Sequence, residues 1–141
     1  MEAMSLDSDD LWTEVHRVAA ETAVSDGVAA MMVMTFGAMA MAREVPRSLR
    51  AGLAAACARW LAGIQPEGSL QEARVECWEF LDAKHGNSTT VADREDIAVR
   101  ALIAVLWDQP HEGDDLELSL DYFADLAGQF GGLEAALGLG E

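Results

Sequence analysis

A chain of 141 residues with 51% apolar side chains is long enough to bury one hydrophobic core without disulfides or metal staples. Its 25 acids against 9 bases give a formal charge of −16, which disfavours nucleic acid and anionic membranes and favours a basic partner. The opening residues MEAMSLDSDD lack the basic segment and apolar run of a secretory signal, and Cys57 and Cys77 fall within helical patterns, so a cytoplasmic location with two free thiols is expected.

The pattern predicts an all-α, single-domain bundle of about six helices. Residues 1–8 form a flexible N-terminal segment, 9–130 the helical domain, and 131–141 a Gly-rich C-terminal tail. The first helix spans about Asp9 to Val24, with Ser8 as N-cap and a stripe of Leu11, Val15, Val18 and Thr22 at helical spacing. Ser25-Asp26-Gly27 breaks it. From Val28 to Ala42 the chain is apolar except for Thr35 and holds five of the seven methionines. This run is shorter than the roughly 20 residues a bilayer crossing needs. It reads as a central helix surrounded on all sides, with flexible thioethers filling irregular gaps.

Pro46 opens the third helix, which is expected to bury Leu49, Leu53, Ala56 and Trp60 and to end near Gly63 and Pro66. Alanines 51, 54, 55, 58 and 62 line its outer side. Ser69-Leu70-Gln71-Glu72 reads as a capping box opening the fourth helix, whose inner stripe is Leu70, Ala73, Cys77, Phe80 and Leu81, with Gly86 marking its end. Glu72, Glu76 and Glu79 take the opposite side. The fifth helix, about 92–107, is apolar around most of its circumference and is the second central helix. Asp96 and Arg100 are spaced to pair across one turn of it.

The sixth helix runs from about Asp114 to Gln129 and turns Leu116, Leu120, Phe123, Ala127 and Phe130 inward. No lysine or arginine follows Arg100, whereas nine carboxylate side chains do, so this segment carries charge of one sign only. Asp114, Glu117, Asp121 and Asp125 gather on the outer side of the sixth helix, with Leu118 within that face and Tyr122 at its border. Such a face suits protein binding, because charge raises the encounter rate while desolvated apolar anchors hold the complex.

Basic residues offer less. Arg43, Arg47 and Arg50 form a small patch, expected to pair with acids of neighbouring helices, or to meet the acidic helix of a second copy. The sequence has no P-loop, dinucleotide fingerprint, His-Glu-x-x-His or nucleophile elbow, and its three histidines are isolated. The loop carrying Asp108, His111, Glu112, Asp114 and Asp115 lacks the ligand spacing of a calcium loop and reads as solvated. No cofactor, metal or catalytic role is expected.

These observations point to a binding domain that blocks a basic protein, a toxin or nuclease, by occlusion. In general character, small and acidic, the chain resembles bacterial immunity proteins. It matches none of their motifs, and no residue role is carried over. A nucleic-acid mimic is a narrower form of the same idea. The alternatives are an adaptor or regulatory subunit that homodimerises through Met32, Phe36 or the alanine stripe, and a metal-dependent protein or enzyme using the 108–115 loop.

Overall fold

The computed structural model describes residues 8–64, 70–85 and 93–131. Six α-helices are found there, α1 (Ser8–Thr22), α2 (Asp26–Ala40), α3 (Arg50–Trp60), α4 (Leu70–His85), α5 (Arg94–Val105) and α6 (Gly113–Phe130), and no strand. Two 3-10 turns, Ala42–Glu44 and Arg47–Leu49, connect α2 to α3. The N-terminal segment up to residue 7, Ser69 of the capping box, the Gly86 stop and the tail beyond Gly131 lie outside the described residues.

Helix α1 buries Leu11, Val15 and Val18, but Thr22 is exposed rather than part of the stripe. Its hydroxyl donates to the Val18 carbonyl one turn back, so it has no need of a core partner. Ala23 then takes a left-handed conformation, φ 58°, which stops the helix. Ser25 caps α2, its Oγ accepting the Val28 N–H at 3.2 Å, and the two helix axes turn through 113° at this break.

Helix α2 packs against α1, α3, α5 and α6, and α5 packs against α2, α3, α4 and α6. Both are therefore central, as their composition predicts. Met31, Met34 and Met41 are fully buried, and the buried Thr35 hydroxyl is satisfied by the Met31 carbonyl at 2.6 Å. The expectation that α2 is covered on every side fails along one strip. Phe36 and Met39 are each 43% exposed, and Met32 is half-buried beside them, because no helix among the described residues covers this side. Pro46 stands one turn ahead of α3, its carbonyl accepting the Leu49 N–H in the 3-10 turn, and the α-helix proper begins at Arg50. The inward residues of α3 and α6 are buried as their spacing predicts. So are Leu70, Cys77 and Leu81 of α4, with Ala73 and Phe80 half-buried beside them.

An apolar helix still has to satisfy its ends. At the C-terminal end of α5, the Trp60 indole N–H donates to the Val105 carbonyl at 3.0 Å, Arg74 to Leu106 and Arg59 to Asp108. Two of these donors are cations, and they meet the negative end of the helix dipole. Arg74 also lies over the Trp107 ring, 3.6 Å from its centroid, so Trp107 packs beyond α5 instead of extending it.

The N-terminal end of α5 is held differently. Asp93 caps it by accepting the Asp96 N–H at 2.9 Å. Asp96 does not pair with Arg100. It is completely buried, and its carboxylate forms an ion pair with Lys84, 3.0 Å from Nζ. Lys84 also donates to Asp93 and Glu95. The end of α4 lies alongside the start of α5, so Lys84 reaches Asp96 and leaves Arg100 over the Trp78 ring. Burial alone would lower the Lys84 pKa, but hydrogen bonds with Glu95, Asp93 and Asp96 outweigh it and raise the value. Asp93 is held below the usual carboxylate range, first by the Asp96 backbone N–H and then by Lys84.

Four outcomes are expected. At Gly27 an added Cβ would stand 2.7 Å from the His111 carbonyl oxygen, so Gly27→Ala should lower stability by about 1–2 kcal/mol despite alanine's better helix propensity, read as a reduced denaturation midpoint. Lys84→Met removes the ion pair of a buried carboxylate and should cost about 2 kcal/mol, below the roughly 3–5 of a fully enclosed pair because the lysine is partly solvated. Asp96→Asn should cost less, since Lys84 keeps Asp93 and Glu95. The Asp93 contribution is complete above the ordinary carboxylate value of 3.8 and is lost as pH falls through the lower folded value, so an acid titration should show stability declining in that window and Asp93→Ala should flatten it.

Candidate protein-binding face

Helix α6 owes its orientation to seven inward residues, Leu116, Leu120, Phe123, Ala124, Leu126, Ala127 and Phe130, which seat it against α5, α1 and α2. Once these are buried, the helical period fixes what faces water. Asp114, Glu117, Asp121 and Asp125 are all exposed. At 100° per residue they span about 80° of the helix, slightly wider than a single row. Leu118 and Tyr122, one turn apart, flank the row on one side, and the exposed Asp115 brackets them on the other. The apolar pair therefore lies between carboxylates. Asp115 was not among the candidate residues; its azimuth, readable from the sequence, assigns it to the face.

Exposure is what distinguishes this pair from ordinary surface residues. Leu118 is 65% exposed and Tyr122 44%. The carboxylates around them form no ion pair with any cation among the described residues, and Asp125 accepts from the Gln129 amide at 2.9 Å. All nine lysines and arginines of the chain are within the described residues. The field of α6 is accordingly uncompensated from within. Like charges one turn apart cost the helix a few tenths of a kcal/mol per pair.

Other chemistry-bearing residues are placed without forming a second site. His111 Nε2 lies 3.3 Å from the Ala104 carbonyl and its ring meets Trp107 edge-on, so the 108–115 loop turns its histidine inward. Among the described residues no three histidine, cysteine or acidic groups converge as metal ligands would. A cleft of about 290 Å³ lies between Ser25, Gly27, Pro110, His111 and Leu116, with only Glu112 as a charged lining group. His16 stacks on Trp12 and stands 3.7 Å from Asp26. Burial pushes the Cys77 thiol up to about 12 and raises that of Cys57, which opposes thiolate chemistry near neutral pH.

The basic patch departs from expectation. Arg43, Arg47 and Arg50 are exposed and make no ion pair with any neighbouring acid among the described residues; Arg50 donates instead to the Val45 carbonyl. Glu44, the acid nearest in sequence, is approached by Arg94 at 3.9 Å. No helix among the described residues is by itself long and apolar enough to cross a membrane. No protein-family model, curated protein or solved structure matches the chain.

Proposed function

We propose that the outer face of α6 binds a basic protein and blocks it by occlusion, and that the chain is a cytoplasmic inhibitor of the immunity-protein or antitoxin kind. The observation that carries this reading is an exposed Leu118–Tyr122 pair set among carboxylates that no cation among the described residues neutralises. Lysines and arginines that hold an anionic substrate in a toxin or nuclease would meet Asp114, Glu117, Asp121 and Asp125. Leu118 and Tyr122 would fill apolar recesses between them. Burying a leucine or aromatic side chain supplies about 1.5–3 kcal/mol, and the surrounding charges act mainly on the rate of encounter.

The inhibitor is rigid where it must be. The face lies on an 18-residue helix whose other side is core, so little ordering cost remains to be met on binding. Inhibition needs no group on this chain to react, which fits a face of solvated carboxylates and raised thiols.

A pull-down from the source cell's lysate tests the proposal, comparing the native chain with one carrying Asp114→Asn, Glu117→Gln, Asp121→Asn and Asp125→Asn. A basic protein captured by the native chain at low salt, held less well at moderate salt and lost by the variant is the expected result. The variant removes repulsion within α6 and should be at least as stable as the native chain, so its failure to bind cannot be assigned to unfolding. Leu118→Ala and Tyr122→Ala should change stability by about 0.5 kcal/mol or less yet weaken capture by about tenfold or more. Equal capture by native and neutralised chains would sink the reading.

A further inference from the structure

Seven of the nine bases are engaged by the chain itself. Arg17 pairs with Glu14 and Glu21, Arg50, Arg59, Arg74 and Arg94 donate to backbone carbonyls, Lys84 holds three acids, and Arg100 lies over Trp78. Arg43 and Arg47 are the remaining two; both are exposed, and neither has a hydrogen bond, ion pair or ring contact among the described residues. Arg43 follows directly on the strip of α2, and Arg47 comes after the extended residues Val45 and Pro46. The chain continues helically from α2 through the 3-10 turn at Ala42–Glu44, with Glu44 N–H bonded to the Met41 carbonyl and Val45 N–H to that of Ala42. Rotation through these residues brings Arg43 to about the same azimuth as Phe36, with Met32 and Met39 beside it. The strip is an apolar centre with Arg43 at one end and Arg47 a few residues beyond it, neither paired among the described residues.

The face of α6 is its complement in both respects, with an apolar pair at its centre and free carboxylates around it. We infer that the α2 strip, Met32, Phe36 and Met39 with Arg43 and Arg47, is a docking surface for the α6 face of a second copy of this chain. At physiological ionic strength the Debye length is about 8 Å, so the distant charges of two chains of −16 are screened from each other while juxtaposed arginines and carboxylates still attract. The contact joins two different surfaces, so a single contact leaves each copy one of them free, and assembly proceeds to a closed ring, of which the reciprocal pair is the smallest, or to an open chain. The second copy covers the same α6 face that a foreign basic protein would use, which makes self-assembly and capture competitive. The inference concerns the purified chain alone and does not depend on the existence of that foreign partner.

Sedimentation velocity on the full chain at about 0.15 M salt and at concentrations up to about 0.5 mM tests it. The native chain should show a concentration-dependent rise above the 15.1 kDa monomer. An Arg43→Glu, Arg47→Glu variant and a Leu118→Ala, Asp121→Asn, Asp125→Asn variant should each weaken association by about tenfold or more, with unchanged circular dichroism. Mixed in equal amounts, they have one intact strip and one intact α6 face between them. The mixture should form a dimer and nothing larger, since no further contact can propagate. A native chain that stays monomeric throughout, or a mixture that does, overturns the inference. So does an assembly that either variant retains, because it must use another surface; a two-fold α2 dimer, for example, would survive the α6 substitutions. Loss of capture by a foreign protein has no bearing on these outcomes, and a monomeric native chain leaves the proposed inhibitor role intact.

Discussion

Helix α5 is apolar around most of its circumference and largely buried, so the backbone groups at its ends have to be met by side chains of its neighbours. That need organises the bundle. Trp60 from α3 and Arg74 from α4 close its last carbonyls, Arg59 takes the next one beyond the helix, and Lys84 at the end of α4 gathers the acids at its start. Each of these bonds also fixes a packing relation: α3 and α4 are tied to the end of α5, and α4 again to its beginning. A central helix of this composition gains from burial what it loses in solvation of its termini, and directional contacts at the ends convert non-specific burial into one arrangement.

The same contacts explain how charge is distributed. Bases drawn inward to carbonyls, aromatic rings and a buried carboxylate are withdrawn from the surface, while most acids have no such use. The acidity of the surface is thus sharper than composition alone implies. It is sharpest on α6, which follows the last base in the chain and packs against α1, α2 and α5 mainly by apolar contact. Arg94 is the one base that turns toward this helix, and it does so at the far end, on the Phe130 carbonyl and ring.

Much of this was legible in the amino-acid sequence because helical periodicity reports burial directly. The six helices, both central ones and the inward stripes of α3, α4 and α6 follow from spacing and from breakers such as Ser25-Asp26-Gly27. So does the exposure of the acidic residues on α6. Partners distant in sequence were not legible. Asp96 and Arg100 have ideal spacing for a pair within one helix, but nothing in α5 itself indicates that Lys84, 12 residues earlier, reaches the carboxylate first. Thr22 continues a stripe by spacing yet satisfies its hydroxyl locally and stays outside the core. The open strip of α2 was hidden for a related reason: a helix apolar on all sides carries no record of which side its neighbours leave bare. Conversely, the three arginines near Pro46 looked like partners for nearby acids, but Glu44, the nearest in sequence, is approached by Arg94 instead.

Tyr122 is the only tyrosine in the chain, and the four tryptophans all lie on other elements, with Trp60 in the core and Trp12, Trp78 and Trp107 on α1, α4 and the α5–α6 loop. Two chromophores are thereby segregated by location. A fluorinated tyrosine incorporated throughout the protein would give a single resonance, and that resonance would report the environment of α6 with no contribution from the core. Indole emission, by contrast, would follow the integrity of the bundle, so the two signals separate what happens at the face from what happens to the fold.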